Sequence, residues 1–277
     1  MNFKLLFPTF RNRFRFVSAR LKKYAAEGKG DAPGFSSALN LGTGEGDYDR
    51  MIARYCTEVI GCDVNEEDLA HARTLNQGVM NLRYEPNNAL ALSYADASFD
   101  LIVSCEVIEH VGDPAQMIRE MYRVLRPGGT AIMTFPSREF PITYDPVNRI
   151  WQWIKKPGDR EFLISQGAYA FGHDYLIGSA DFKKWAGDTG FQILEFQGLS
   201  RHLVGILEIY WTGIAQSIFK KNARNVNTDT GTTLTMRPAS TKEPALAAVT
   251  DFLLWIDRTL FGWTSRSVGK GVVLRKM

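Results

Sequence analysis

Cysteine is scarce. Cys56, Cys62 and Cys105 are the only three in 277 residues, and no two stand in a Cys-x-x-Cys spacing. A disulfide frame and a thiolate zinc site are therefore not expected, and a reducing, cytoplasmic setting is. Long apolar runs are equally missing. The two most apolar stretches, His202–Phe219 and Pro244–Trp263, are interrupted by Glu208, Asp251, Asp257 and Arg258, so neither reaches the ~20 clean apolar residues of a membrane helix. No internal repeat is evident. A dinucleotide fingerprint, Gly-x-Gly-x-x-Gly, is also absent: in Gly42-Thr-Gly-Glu-Gly-Asp47 the sixth position is Asp47.

A basic body is lacking too. Residues 1–30 hold eight lysines and arginines against Glu27 alone, a net +7, so a chain of total charge +3 carries −4 in the remainder. Nucleic acid is an unfavoured partner for such a body. The basic segment alternates its charges with Phe3, Leu5, Leu6, Phe7, Phe10, Phe14 and Phe16, and Arg11, Arg13 and Arg15 break any core of signal-peptide length. Two readings stand for residues 1–35: an amphipathic segment on a membrane surface, or a helix packed on the domain over a ligand pocket. In the first, the protein sits peripherally on the inner face of a membrane.

The informative stretch is Ala38-Leu-Asn-Leu-Gly-Thr-Gly-Glu-Gly-Asp47 with Val59-Ile-Gly-Cys-Asp63. It reads as a buried strand, a glycine loop, a helix and a second strand ending in an acid. Gly42, Gly44 and Gly46 allow backbone amides close to a ligand, and Asp63 stands where a carboxylate accepts from both ribose hydroxyls. That is a nucleoside-cofactor site on an α/β sheet. Strands are expected near Ser36–Leu41, Glu58–Asp63, Leu82–Glu85, Phe99–Cys105, Thr130–Phe135, Phe191–Gln197 and Gly271–Lys276. Helices are expected near Asp47–Tyr55, after an Asn65 N-cap, from Asp113-Pro114 to just before Pro127, and from Ser179, capped at its start, to a Gly190 stop.

The spacing Gly-x-Gly-x-Gly resembles motif I of the class I S-adenosylmethionine (SAM) methyltransferases. Asn87–Asp100 resembles the segment framing the adenine in that family, Leu101–His110 its fourth strand and exit, and Tyr122-Arg-Val-Leu-Arg-Pro-Gly-Gly-Thr130 its turn into strand five. Within the family the chain is most similar to the ubiquinone-biosynthesis type of small-molecule methyltransferase. The resemblance implies a Rossmann-like α/β fold with a seven-stranded sheet in the order 3-2-1-4-5-7-6, the last strand antiparallel, over residues 36–277. A helical insertion at about 199–270 departs from the short hairpin the family uses there. It is read as a hairpin packed on the domain, with an apolar lid touching acceptor or bilayer as the alternative.

The resemblance also implies the site. Gly42, Thr43, Gly44 and Gly46 would border the amino-acid and sulfonium part of SAM, Asp63 the ribose, Val64 the adenine, and Asn88 with Ala89 the adenine amino edge; the family commonly has an acid at position 88. Cys105 would form pocket wall. Glu109 and His110 are the candidate catalytic residues, His110 as a base for a hydroxyl acceptor. Glu106, Glu109 and His110 share a face if helical, and Glu-x-x-Glu-His resembles a divalent-metal motif of some ubiquinone O-methyltransferases and small-RNA 2′-O-methyltransferases. The RNA enzymes' further histidine has no counterpart shortly after His110, so no metal is expected. His173 and the aromatics Tyr144, Trp151, Trp153, Tyr169 and Phe171 would lie on the acceptor side. The expected activity is methyl transfer to oxygen or carbon of a small hydrophobic or lipid-like acceptor. The alternatives are a soluble polar metabolite as acceptor and a SAM-binding regulatory protein without turnover.

Overall fold

A computed structural model describes residues 2–27, 34–139, 153–154, 176–207 and 240–277. Seven strands form one sheet: β1 (Phe35–Leu41), β2 (Cys56–Asp63), β3 (Leu82–Pro86), β4 (Phe99–Cys105), β5 (Leu125–Pro136), β6 (Phe191–Leu199) and β7 (Gly269–Lys276). Their spatial order is β3-β2-β1-β4-β5-β7-β6. β1 pairs in parallel with β2 and β4, and β4 with β5, while β7 runs antiparallel to both β5 and β6. This is the Rossmann-like architecture expected, each strand falling within a few residues of its expected place.

Alternation explains why the strands are apolar along their length. Leu39, Ile60, Ile102 and Met133 point to one face, where they meet Met117, Met121 and Phe182. Their neighbours Ala38, Val59, Leu101 and Ile132 point to the other, where they meet Phe16, Val17, Leu21 and Ile52. A parallel sheet covered on both sides requires both sets. The covering helices are α1 (Pro8–Ala25), α2 (Asp49–Ala53), α3 (Glu66–Leu75), α4 (Pro114–Val124), α5 (Ser179–Thr189) and α6 (Ala247–Phe261).

The helix termini follow side-chain chemistry. Asn65 accepts from the amides of Glu67 and Asp68 at the start of α3, and Asp113 accepts from Gln116 N–H at the start of α4, with Pro114 in the first turn. Gly190 ends α5 with φ +97°. The start of α5 differs from expectation. Its N-cap is Gly178, which offers no side chain, and Glu139 from the end of β5 accepts instead from Ser179 N–H (2.8 Å) and Oγ–H (2.7 Å).

The basic N-terminal segment packs on the domain. Phe16, Val17, Leu21 and Tyr24 are buried against the sheet, and Phe16 occupies space that a Cβ on Gly271 would fill, at 2.7 Å from its ring. Glu195 on β6 accepts from Arg20, Lys23 and Tyr24. Residues 3–6 form a 3-10 turn ahead of α1. The buried side of α1 is thus committed to protein, while Phe3 ahead of it is 51% exposed.

In the insertion, residues 202–207 are helical and α6 lies within the expected Pro244–Trp263; 208–239 lie outside the described residues. Asp257, read from sequence as an interruption, is 2% exposed and accepts from the amides of Arg201, Leu203 and Val204. It caps the 202–207 helix across space. α6 is also tied to α1: Arg11 donates twice to Asp251 at 2.9 Å and pairs with Glu243, while Thr250 donates to Leu6 C=O. Among the described residues no helix is long and apolar enough to cross a membrane.

Candidate active site

The carboxyl edges of β1, β2 and β4 bring the expected cofactor residues together. Gly42 and Thr43 both donate their N–H to Cys62 C=O at 2.9 Å, folding the glycine loop over the end of β2. Gly44 N–H then donates to Asp63 Oδ2 (2.9 Å), and Asn65 N–H to Asp63 Oδ1 (3.0 Å). Gly42, Gly44 and Gly46 have φ of +71°, +53° and +84°, the left-handed region where other residues are strained. A Cβ on Gly42 would stand 2.3 Å from Val107, whereas one on Gly44 would meet nothing within 4 Å. Gly42 therefore packs the loop against the exit of β4, and Gly44 faces open space.

A buried carboxylate supports this loop, and sequence reasoning missed it. Asp49 is 0% exposed. It accepts from Asn40 Nδ2 (2.6 Å), Thr43 Oγ1 (2.7 Å) and Tyr84 OH (2.8 Å), and Asn76 in turn donates to Tyr84 OH. Burial pushes the Asp49 carboxyl up, against the hydrogen bonds from Thr43, Asn40 and Tyr84. Asp49 begins a five-residue helix too short to show periodicity, so only Asp-rich Gly46–Asp49 could have signalled it.

The N-terminal turn closes on the same loop. Lys4 Nζ bonds Glu45 (2.5 Å) and Asp47 (2.6 Å), and Asn2 Nδ2 reaches Asp47 Oδ1 (2.9 Å). Burial works against the Lys4 charge, but the two carboxylates outweigh it and raise its pKa. Tyr48 is buried beneath Phe10 and Phe14 of α1.

On the adenine side, Asn87 N–H donates to Asp63 C=O (3.0 Å), which sets Asn88 beside the end of β2. The Asn88 amide oxygen accepts from Leu90 N–H at 2.9 Å. Its first role is to close that turn, and only its second lone pair faces outward. Ala89 is buried, and Val64 is 71% exposed, unshielded for contact with a planar ring.

The exit of β4 differs from the expected helical face. Glu106 has φ +57°, and only Ile108–His110 form a turn, of 3-10 type. The i, i+3, i+4 alignment of Glu106, Glu109 and His110 is therefore not formed. Glu106 accepts from Arg13 of α1 (2.6 Å) and Thr134 of β5 (3.1 Å). Glu109 is 0% exposed and neither of its oxygens has a hydrogen-bond partner. Burial first, then the nearby Glu106 charge, raises its pKa well above the usual range. His110 has its side chain 45% exposed, with Nε2 3.9 Å from Glu109 Oε1. Burial pushes the Cys105 thiol up to about 12 against the hydrogen bond with Thr134, which disfavours a thiolate there. Among the described residues no three His, Cys, Asp or Glu side chains gather as a metal site. Trp153 is 89% exposed; His173, Tyr144, Trp151, Tyr169 and Phe171 lie outside the described residues.

Comparison with known proteins agrees with this geometry. Residues 39–133 match the family model described as methyltransferase domain. A probable S-adenosylmethionine-dependent methyltransferase of Mycolicibacterium smegmatis is 41% identical over 108 residues, 39% of this chain and 40% of that protein. The chain thus spans less than half of that relative's length. A ubiquinone biosynthesis O-methyltransferase of Psychrobacter arcticus is 29% identical over 210 residues, 73% of this chain and 74% of that protein. Among solved structures, a sarcosine dimethylglycine methyltransferase of Galdieria sulphuraria, so assigned provisionally, superposes with TM-score 0.58 at 17% identity, covering 94% of this chain and 85% of that one; this likeness shows the fold.

Proposed function

We propose that this chain, which carries a class I SAM-dependent methyltransferase domain, transfers a methyl group from SAM to an oxygen or carbon of a small hydrophobic or lipid-like acceptor. SAM is the cofactor such a domain takes. The observation that carries the reading is the glycine loop: three left-handed glycines, pinned from beneath by Asp49 and bonded through Gly44 to Asp63. The open space at Gly44 and the acid beside it fit a nucleoside with a charged amino-acid arm. The relation to a ubiquinone biosynthesis O-methyltransferase favours oxygen as the acceptor atom and an aromatic, apolar acceptor.

When bound, SAM supplies a methyl group activated on a sulfonium. The residues do the rest. Gly42, Thr43, Gly44 and Gly46 hold the donor end, and Asp63 takes the ribose hydroxyls with the lone pairs that Gly44 and Asn65 leave unused. Val64, Asn88 and Ala89 border the adenine, and Cys105 closes the wall. Held there, SAM would supply its methyl group to an acceptor oxygen on the side of His110, with S-adenosylhomocysteine as the other product. The acceptor proton passes to Nε2 of His110, the exposed base at the exit of β4. Glu109, whose pKa burial raises, lies 3.9 Å from that nitrogen without a hydrogen bond to it and supplies the buried wall beside His110. Orientation supplies most of the acceleration in such a displacement, and the base contributes on the order of 10²–10⁴-fold.

Calorimetric titration with SAM tests the site. Binding to the full chain that is lost in Asp63→Ala supports the assignment; equal affinity in that variant refutes it.

A further inference from the structure

α6 carries apolar residues on its outward face. Its buried residues are Ala247, Thr250 and Asp257, and the two polar ones face inward to bond Leu6 C=O and the 201–204 amides. Its outward half is apolar. Leu246, Val249, Phe252, Trp255, Leu260 and, just past the end, Trp263 are between 52% and 82% exposed. At 100° per residue Phe252 and Trp255 lie on the half opposite Thr250 and Asp257, with Val249 at its edge and Leu260 on the flank. Phe252 and Trp255 stack with centroids 5.8 Å apart, making one continuous plate. The inward half holds Ala247, Leu253, Leu254 and Phe261 as well as Thr250 and Asp257, so the outward plate is apolar surface beyond what packing uses, which marks a surface made to be covered.

The charges around the plate select what covers it. Asp251 and Glu243 are neutralised by Arg11 and Arg15. Lys242, Arg258 and Arg266 flank the plate, and none of the three side chains makes an ion pair with a described residue. Exposed indoles set among unpaired cations match the boundary between acyl chains and anionic headgroups. The plate is also anchored to the site: Asn2 N–H bonds Lys242 C=O, and the turn holding Asn2 and Lys4 grips Glu45 and Asp47 of the glycine loop.

We infer that the outward face of α6 docks this protein on an anionic phospholipid surface. The membrane contact is thereby placed on the insertion rather than on α1, whose Phe16, Val17, Leu21 and Tyr24 are buried against the sheet. Docking there holds the mouth of the glycine-loop site at the bilayer, where an apolar acceptor is concentrated. The inference stands apart from the methyl-transfer reading, since it concerns where the chain sits and not what it transfers.

The full chain would be co-sedimented with vesicles of phosphatidylcholine alone and with vesicles of equal parts phosphatidylcholine and phosphatidylglycerol, following tryptophan emission in parallel. The expected result is binding to the anionic vesicles, weakened by salt, with a blue shift. Phe252→Gln with Trp255→Gln should weaken it roughly 100-fold, with SAM affinity unchanged. Arg258→Glu with Arg266→Glu, which leaves the plate intact, should abolish the preference for phosphatidylglycerol. Absence of vesicle binding by the wild type overturns the inference, as does undiminished binding by both variants. A wild-type dimer in sedimentation velocity that the aromatic variant makes monomeric, without vesicle binding by either, would assign the plate to a second copy of the chain and likewise overturn it.

Discussion

Replacing Asp49 with alanine removes the one acceptor shared by three buried donors: Asn40 Nδ2, Thr43 Oγ1 and Tyr84 OH. Each buried donor left without a partner costs about 1–3 kcal/mol. Two losses are softened, because Asn40 still donates to Thr43 Oγ1 (3.0 Å) and Tyr84 is only partly buried, so its freed O–H costs less. The net loss is then about 3–5 kcal/mol, a large part of the 5–15 kcal/mol that holds a domain. Tyr84→Phe deletes two bonds, its own to Asp49 and the one it accepts from Asn76, but Asn76 still donates to Gly46 C=O (2.9 Å), so the cost should be about 1–2 kcal/mol. SAM affinity should follow the same order, because Thr43 is the loop residue Asp49 fixes: roughly tenfold or more weaker in Asp49→Ala and little changed in Tyr84→Phe. Urea unfolding and calorimetric SAM titration on the same preparations would measure both. An Asp49→Ala protein with wild-type midpoint and wild-type SAM affinity would refute the reasoning outright.

Other expectations follow from neighbouring contacts. Gly42→Ala should abolish SAM binding, because the new methyl meets Val107 at 2.3 Å and the residue keeps φ +71°; Val107→Ala in the same chain should restore part of it, measured by the same titration. Glu109→Gln should stabilise the protein in urea melts, and more so as pH rises. Its folded pKa lies above the unfolded value, so folding takes up a proton between the two and stability falls as pH rises through that window. Acid should loosen α1 from the sheet. Glu195 is pulled down to about 2, where the bonds from Lys23, Arg20 and Tyr24 overcome the opposing effect of burial. Its stabilising contribution is complete above the unfolded carboxylate range and is lost as pH falls from there through about 2; hydrogen exchange of α1 amides across that range reads it. His110→Ala should lower kcat by on the order of 10²–10⁴-fold with SAM affinity intact; an unchanged kcat would remove His110 as the base.

The sheet was legible because its signals are local. The centres of β1, β2, β4 and β5 carry successive apolar residues (Ala38-Leu39, Val59-Ile60, Leu101-Ile102-Val103, Ala131-Ile132-Met133), as a sheet covered on both faces demands, and Asn65, Asp113 and Gly190 mark helix ends by their own chemistry. The loop from Gly42 to Gly46 and its acid Asp63 were legible because glycine spacing reports backbone conformation directly. What stayed hidden depends on partners distant in sequence. Glu106 looked like one corner of a helical triad, yet its left-handed φ and its bonds to Arg13 and Thr134 come from packing of α1 and β5 against the exit of β4. Asp257 looked like a flaw in an apolar helix because the three amides it caps lie more than fifty residues away. Asp49 was invisible because its partners meet only once the glycine loop folds back: Asn40 and Thr43 are 9 and 6 residues away along β1 and the loop, and Tyr84 comes from β3, 35 residues on.

The central claim is that the Gly42–Asp63 site delivers a methyl group to an apolar acceptor. Its most direct test incubates the protein with SAM labelled in the methyl group and a cell extract, then separates lipid, polar, protein and nucleic-acid fractions. The account predicts label in the organic phase, S-adenosylhomocysteine formed in equal amount, and neither product with Asp63→Ala. Label confined to the polar or nucleic-acid fraction would contradict the acceptor assignment, and SAM binding without label in any fraction would contradict transfer itself.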